Sequence, residues 1–436
     1  MRKSNYYLGA ARLGAAAVIA ALLLAVCQTT PRVGGPDDGE KRRTVRTVVI
    51  VKSVLRGEAP ADTIEIRSEA DLINFADAIL GDEPDPDGKL MNDITLTALS
   101  KDYIPLGKAK NNNKLPPEVH EYTGTFNGNG KTISGLDVVE NTSYAALFAF
   151  NNGVIKNLTV EGTVTANVGA NDVDYVAGVV AYNGIGHDSN SGIIQNVISR
   201  VTVNAAKDTT HNIGGIAGFN GYDHYNPDSP YVDDPDYPND YEEGGTILQC
   251  RNGGAVTGGF NKIGGIAGEN AYRITQCVNT GTITCNKTGT GWPGVGGIAG
   301  RNGNNNTATE QGNILSSYNR GLVVDSTSMG SAHNAYGGIT GWSNTLSKVT
   351  NCYTTGEFQP ESGSKNPIIA TADDTTGIGS NNYSLDSIFA SSKDEVLTGT
   401  RETDAYMKTE DFVNDLNAQG SAYDFVSGDY PKLDWE

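Results

Sequence analysis

"IGGIAGENAYRITQCVNTGTITC" runs from Ile263 to Cys285, and the fold turns on how it is read. Taken alone, GGIAG looks like a glycine-rich turn that cradles a phosphate. A phosphate loop, however, needs a helix N-terminus behind its glycines, often with Gly-Lys-Ser/Thr. Here a β-prone segment follows instead, and the same phrase returns along the chain. It appears as "YAALFAFN" at 144, "VAGVVAYN" at 176, "IGGIAGFN" at 213, "IGGIAGEN" at 263, "VGGIAGRN" at 295 and "YGGITGWS" at 336. Repetition at intervals of a few tens of residues points to architecture rather than to one binding loop.

A second phrase follows each first one: "IKNLTVEGTV", "IQNVISRVTV", "ILQCRNGGAV", "ITQCVNTGTI", "ILSSYNRGLV" and "VTNCYTTGEF". Aligning these stacks Leu158, Val197, Cys250, Cys277, Ser317 and Cys352 in one column. Gly162, Gly254, Gly281, Gly321 and Gly356 form another, with Val201 the exception. One such unit cannot bury its own apolar residues, whereas units piled in register can. The expected fold is therefore all-β: a parallel β-helix, or solenoid, with a short N-terminal capping helix. A right-handed sense is expected, although the spacing does not fix it. Asn151, Asn183, Asn220, Asn270 and Asn302 recur at one turn position. There asparagine tolerates left-handed backbone angles and can form side-chain ladders between coils. Cysteines in the Leu158 column should be buried apolar fillers; in-register thiols point the same way, which favours free thiols over a Cys250–Cys277 disulfide.

Outside the repeats, Ser68 opens a helix with Asp71 three residues on, and Leu72, Phe75, Ala76, Ile79 and Leu80 share its apolar face. "GTFNGNGKTISGLDV", Gly124 to Val138, reads as strand, Asn-Gly turn and second strand. The N-terminus carries Arg2, Lys3 and Arg12 before an apolar run from Leu13 to Val26. That run is short of the ~20 residues that span a bilayer, so it reads as a signal peptide. Leu24-Ala25-Val26-Cys27 resembles a lipobox, which makes Cys27 the expected lipidation site; Val26 departs from the small residue preferred there. The expected organisation is a signal peptide at 1–26, a lipid-anchored tether at 27–60, a cap with first coils at 61–143, repeats at 144–360 and final coils with a cap at 361–436. The expected location is the outer membrane or cell surface.

Together these phrases, with "IEIRSEADLINFADAIL", "GTFNGNGKTISGL" and the terminal "YPKLDW", resemble the GLUG-motif repeats of bacterial surface proteins, common among Bacteroidales lipoproteins. The resemblance covers most of residues 63–436. It implies a secreted or surface-anchored solenoid. Such repeats also accompany some IgA-cleaving peptidases, where they are not the catalytic part. Ala145-Ala146 and Ala177-Gly178 depart from the paired glycines, and wider coils are expected there.

The net charge of −19, about −22 once residues 1–26 are removed, repels phosphate backbones, so no nucleic-acid partner is expected. His120-Glu121 lacks a second histidine for a zinc peptidase motif, and no Gly-x-Ser-x-Gly elbow occurs. The insertion at 222–245 is the candidate surface. It offers Tyr225, Tyr231, Tyr237 and Tyr241 for stacking on sugars or proteins, among Asp228, Asp233, Asp234, Asp236 and Asp240, whose carboxylates suit Ca²⁺. The bland alternative is a solvated loop. The expectation is a non-catalytic surface lipoprotein that binds glycans or proteins through such loops, held to the membrane by its lipid. The alternatives are a β-helix polysaccharide lyase or glycoside hydrolase, and a structural stalk.

Overall fold

A computed structural model describes residues 63–81, 85–107, 120–140, 144–166, 175–184, 192–205, 212–221, 244–259, 262–286, 294–303, 312–326, 335–359, 364–372, 379–388 and 399–436. They build a parallel β-helix. Two faces are narrow sheets of seven parallel strands, and the third is a broad parallel sheet. Seven strands at a spacing of ~4.8 Å give about 29 Å of solenoid.

Each first phrase folds into two short strands meeting at a corner. In the opening stretch these are Lys262–Gly264 and Ala267–Asn270, one in each narrow sheet. Gly265 sits at the corner because an added Cβ would lie 2.2 Å from the Gly297 carbonyl of the next coil. The second phrase supplies Arg273–Thr275, Val278–Asn279 and Ile283–Cys285 to the broad sheet. Its register is continuous: Ile155, Ile194, Ile247, Ile274, Ile314 and Val349 pair in succession. All six are buried, and with Ile213, Ile263 and Val295 they form a single core along the axis. The glycine column is equally tight, since a Cβ on Gly281 would meet the Gly254 carbonyl at 1.9 Å.

The asparagine ladder is present. The Nδ2 of Asn151 donates to Asn183 at 2.7 Å, and Asn183, Asn220 and Asn270 each donate to the next rung at 2.8 Å. A second ladder joins Asn252, Asn279 and Asn319 at 2.9 and 2.8 Å. The expected left-handed angles lie elsewhere. The ladder asparagines lie at the end of a strand or one residue before it, whereas positive φ falls on the third residue of the second phrase: Asn157, Asn196, Gln249, Gln276, Ser316 and Asn351, at 45° to 55°. The bend there turns the chain between successive strands of the broad face. The polar side chains there meet between neighbouring coils: Asn196 donates to Asn157 at 2.8 Å and Gln249 to Gln276 at 3.1 Å.

Three further expectations are corrected. Gly124–Val138 is no hairpin: Thr125–Glu140 is one strand, parallel to Val154–Ala166, and Asn129 and Gly130 take positive φ inside a bulge rather than reversing the chain. The first unit is not wider. Ala145 pairs with Val176 while Phe148 pairs with Val180, so this coil turns its corner with one residue fewer. Helix α1, Glu69–Ile79, buries Leu72, Phe75, Ala76 and Ile79, but Leu80 caps its C-terminus and is exposed. Ser68 accepts from the Asp71 amide at 3.3 Å, and the Asp71 carboxylate accepts from the Arg67 amide at 2.9 Å, closing the expected cap. Phe75 seals the first coils against Tyr122 and Phe126.

The C-terminal part folds back along the broad face. Helix α2, Glu410–Leu416, and the antiparallel pair Tyr423–Asp424 and Lys432–Leu433 pack on a ladder of Val278, Tyr318 and Tyr353. The rings of Tyr318 and Tyr353 stack at 4.7 Å. Arg320 donates to the carbonyls of Tyr430 and Pro431 at 2.9 and 3.1 Å and faces the Asp429 carboxylate at 3.4 Å. Glu436 accepts from the Tyr318 hydroxyl at 2.6 Å, and Trp435 donates to the Gln276 carbonyl at 3.0 Å.

Candidate functional site

Cys27 and the nine loop residues Tyr225, Asp228, Tyr231, Asp233, Asp234, Asp236, Tyr237, Asp240 and Tyr241 lie outside the described residues. The roots of the insertion are described. It leaves from Gly221, at the end of strand Ala217–Gly221, and returns at Gly244, just before strand Thr246–Leu248. In the next coil the same corner needs only Ala271 and Tyr272 between strands. A Cβ on Gly221 would lie 2.6 Å from Ala271 Cβ, and one on Gly244 would lie 2.5 Å from Tyr272 Cβ. Both roots are thus pressed against the coil beneath, beside the Asn220 and Asn270 rungs. Sequence reasoning identified the insertion but not that the ladder corner carries it. The neighbouring excursions at 185–191 and 304–311 start from this corner too.

Beside the corner lies a column that the repeat alignment passed over. The residue before each ladder position is Phe150, Tyr182, Phe219, Glu269, Arg301 and Trp342, paired coil to coil. The first three rings stack at 4.4 and 4.9 Å, joined by Tyr175 and Tyr144 from the adjacent sheet. Stacked rings cover each other's faces, which leaves them little face to offer a sugar. Glu269 is buried and paired with Lys262 of the same coil, and Arg301 donates to Asn344 at 2.9 Å. The signal was visible as the most variable position of the repeated phrase, occupied in turn by Phe, Tyr, Phe, Glu, Arg and Trp.

The remaining chemistry is structural. Cys250, Cys277, Cys285 and Cys352 are buried thiols that form no disulfide. The thiols of the first two and of Cys352 each donate to the carbonyl two residues back at 3.3 Å. Burial pushes the Cys352 thiol up to about 12 and the Cys277 thiol well above its ordinary range, so neither is a nucleophile at neutral pH. His120 meets the buried Asp85 carboxylate at 2.9 Å, and that carboxylate also accepts from the Thr123 amide and hydroxyl at 2.7 and 2.9 Å. This set fastens the first coils. Among the described residues, no three His, Cys, Asp or Glu side chains group as metal ligands, and no helix is long and apolar enough to cross a membrane.

No family model matches the chain. A segment of 101 residues, 22% of the chain, is 39% identical to halomucin of Haloquadratum walsbyi; the match covers 1% of that protein's length. The chain is similar to a solved structure described as a "putative immunoglobulin A1 protease" from Bacteroides ovatus, with 17% identity, a TM-score of 0.48, and coverage of 85% of this chain and 92% of that one. The expectation of a non-catalytic protein is corrected by this finding and withdrawn, because a chain of similar course bears a protease name. That name belongs to the other protein, and no residue of this chain takes a proteolytic role from it.

Proposed function

We propose that this chain is an exported, surface-held β-helix protein of the GLUG-repeat type, whose insertion at 222–245 engages glycans or proteins. The observation that carries the reading is the rooting of the insertion. A long excursion rich in tyrosine and aspartate is held at both ends by glycines packed against a rigid ladder corner. A rigid scaffold bearing a long loop is the usual arrangement of a binding surface. Tyr225, Tyr231, Tyr237 and Tyr241 supply planes for sugar rings or protein side chains, and Asp228, Asp233, Asp234, Asp236 and Asp240 offer oxygens to Ca²⁺. Residues 1–26 direct export, and 27–60 tether the body through a lipid on Cys27. The local identity to halomucin and the signal-like N-terminus support this placement.

Glycan arrays and host-protein panels probed with residues 28–436, with and without 222–245, test the proposal. Binding that disappears with the insertion supports it, and Ca²⁺ dependence of that binding supports the carboxylate role. No binding to either panel, or binding that the deletion leaves unchanged for every ligand on both panels, overturns it. Labelling with a radioactive fatty acid tests the anchor separately. Incorporation should vanish in Cys27→Ser and persist in Cys250→Ser.

A further inference from the structure

The broad face holds a second surface, distant in sequence from the insertion. Val164, Val203, Val256 and Ile283 point into the core from successive coils, so the residues on either side of each point outward. One outward row is Thr165, Asn204, Thr257 and Thr284, in unbroken register. The row beside it begins with the pair Thr163 and Thr202 and continues through Ala255 to Thr282. Within the chain, these threonine hydroxyls hydrogen-bond to no described residue. The strip carries no charge over four coils of a protein whose net charge is −19. Charges of both signs surround it: the Asp137–Lys101 pair in the preceding coil, the exposed Arg200–Glu161 pair two residues before Thr202 and Thr163, and the exposed Glu357 beyond.

We propose that this strip binds an extended neutral polysaccharide laid along the solenoid axis, with about one sugar ring per coil. The proposal rests on the reading of an exported, glycan-facing protein but places the contact on the coils rather than on the insertion. Three observations select the partner. The coils advance by ~4.8 Å, close to the advance of one ring in an extended glycan, so a hydroxyl can meet each successive sugar in the same way. The strip itself offers no cation to hold a polyanion, its flanking charges are paired or acidic, and the net charge of −19 repels one, which leaves a neutral polymer. A second copy of the chain does not fit: four coils by two outward residues span only about 14 Å by 7 Å, far below the ~800 Å² per partner of a stable interface.

Affinity electrophoresis of residues 28–436 through gels containing hydroxyethyl cellulose or xyloglucan, with polygalacturonate as the anionic control, tests the strip. Retardation by the neutral glucans but not by polygalacturonate is expected. Thr257→Val with Thr284→Val should weaken it about tenfold, and Thr257→Glu with Thr284→Glu should abolish it. Circular dichroism serves as the check on folding, and the valine pair covers the case in which the glutamates unfold the protein. Deletion of 222–245 should leave retardation in place. Lack of retardation in the unaltered protein overturns the proposal, as does equal retardation of the valine pair. Loss on deletion of 222–245 with no effect of the valine pair also overturns it while leaving the insertion reading intact.

Discussion

At the scale of single residues, the left-handed turn is the place where side-chain identity matters most. Ser316 takes φ 45° and its side chain makes no ladder, so glycine is the better residue there. Ser316→Gly should raise stability by up to about 1 kcal/mol in denaturant melts, and Ser316→Val should lower it by about 1–2 kcal/mol. Asn270 is the converse case. It links Asn220 to Asn302, and Asn270→Ala strands buried polar groups on both sides, for an expected loss of about 2–4 kcal/mol. The ladder was legible in the repeat because asparagine returned at one position. The turn was missed because Asn, Gln and Ser share it, and no single letter repeats.

Between coils, the thiol column and the charged rung set the behaviour. Cys352 titrates near 12 in the folded chain against 9.0 when free. Unfolding therefore releases a thiol that ionises more readily, so its stabilising contribution is complete below pH 9 and declines as pH rises towards 12. Alkylation of native protein at pH 8 should leave Cys250, Cys277 and Cys352 unmodified, and unfolding in urea should expose all three. Half-buried Lys262 pairs with buried Glu269, which follows Phe219 in the aromatic column. Removing one charge, as in Lys262→Met, should cost about 3–5 kcal/mol, and adding Glu269→Leu should recover most of it in a double-mutant cycle. In a chain of near-identical coils, a charged rung flanked by Phe219 also disfavours stacking in the wrong order. The cysteine column was readable because Leu158 and Val197 share its position. The hairpin at Gly124–Val138 was misread because Asn-Gly suits both a reversal and a bulge, and only pairing with Val154–Ala166 decides between them.

On the scale of the whole molecule, the solenoid is one continuous core braced on its side by the C-terminal part. Arg320 is the main polar fastener. Burial pushes the Asp429 carboxyl up, but the Tyr430 amide and Arg320 outweigh it and hold it below its ordinary value. The brace should therefore be complete near neutral pH and loosen in acid, as Asp429 protonates. Arg320→Ala should remove much of that acid dependence and speed amide exchange around Tyr318 and Tyr353. The repeat and its stacking were readable from the chain's own self-similarity. The brace was not, because Tyr318, Arg320 and Tyr430 come together only after the chain has folded back. The central claim is that residues far apart in sequence lie one coil apart in space. Spin labels at Thr165 and Val324 sit four coil steps from each other on one outward row. Their electron-spin distance should be about 19 Å, within label length, despite the long sequence between them. A distance well beyond 35 Å would contradict the parallel in-register β-helix.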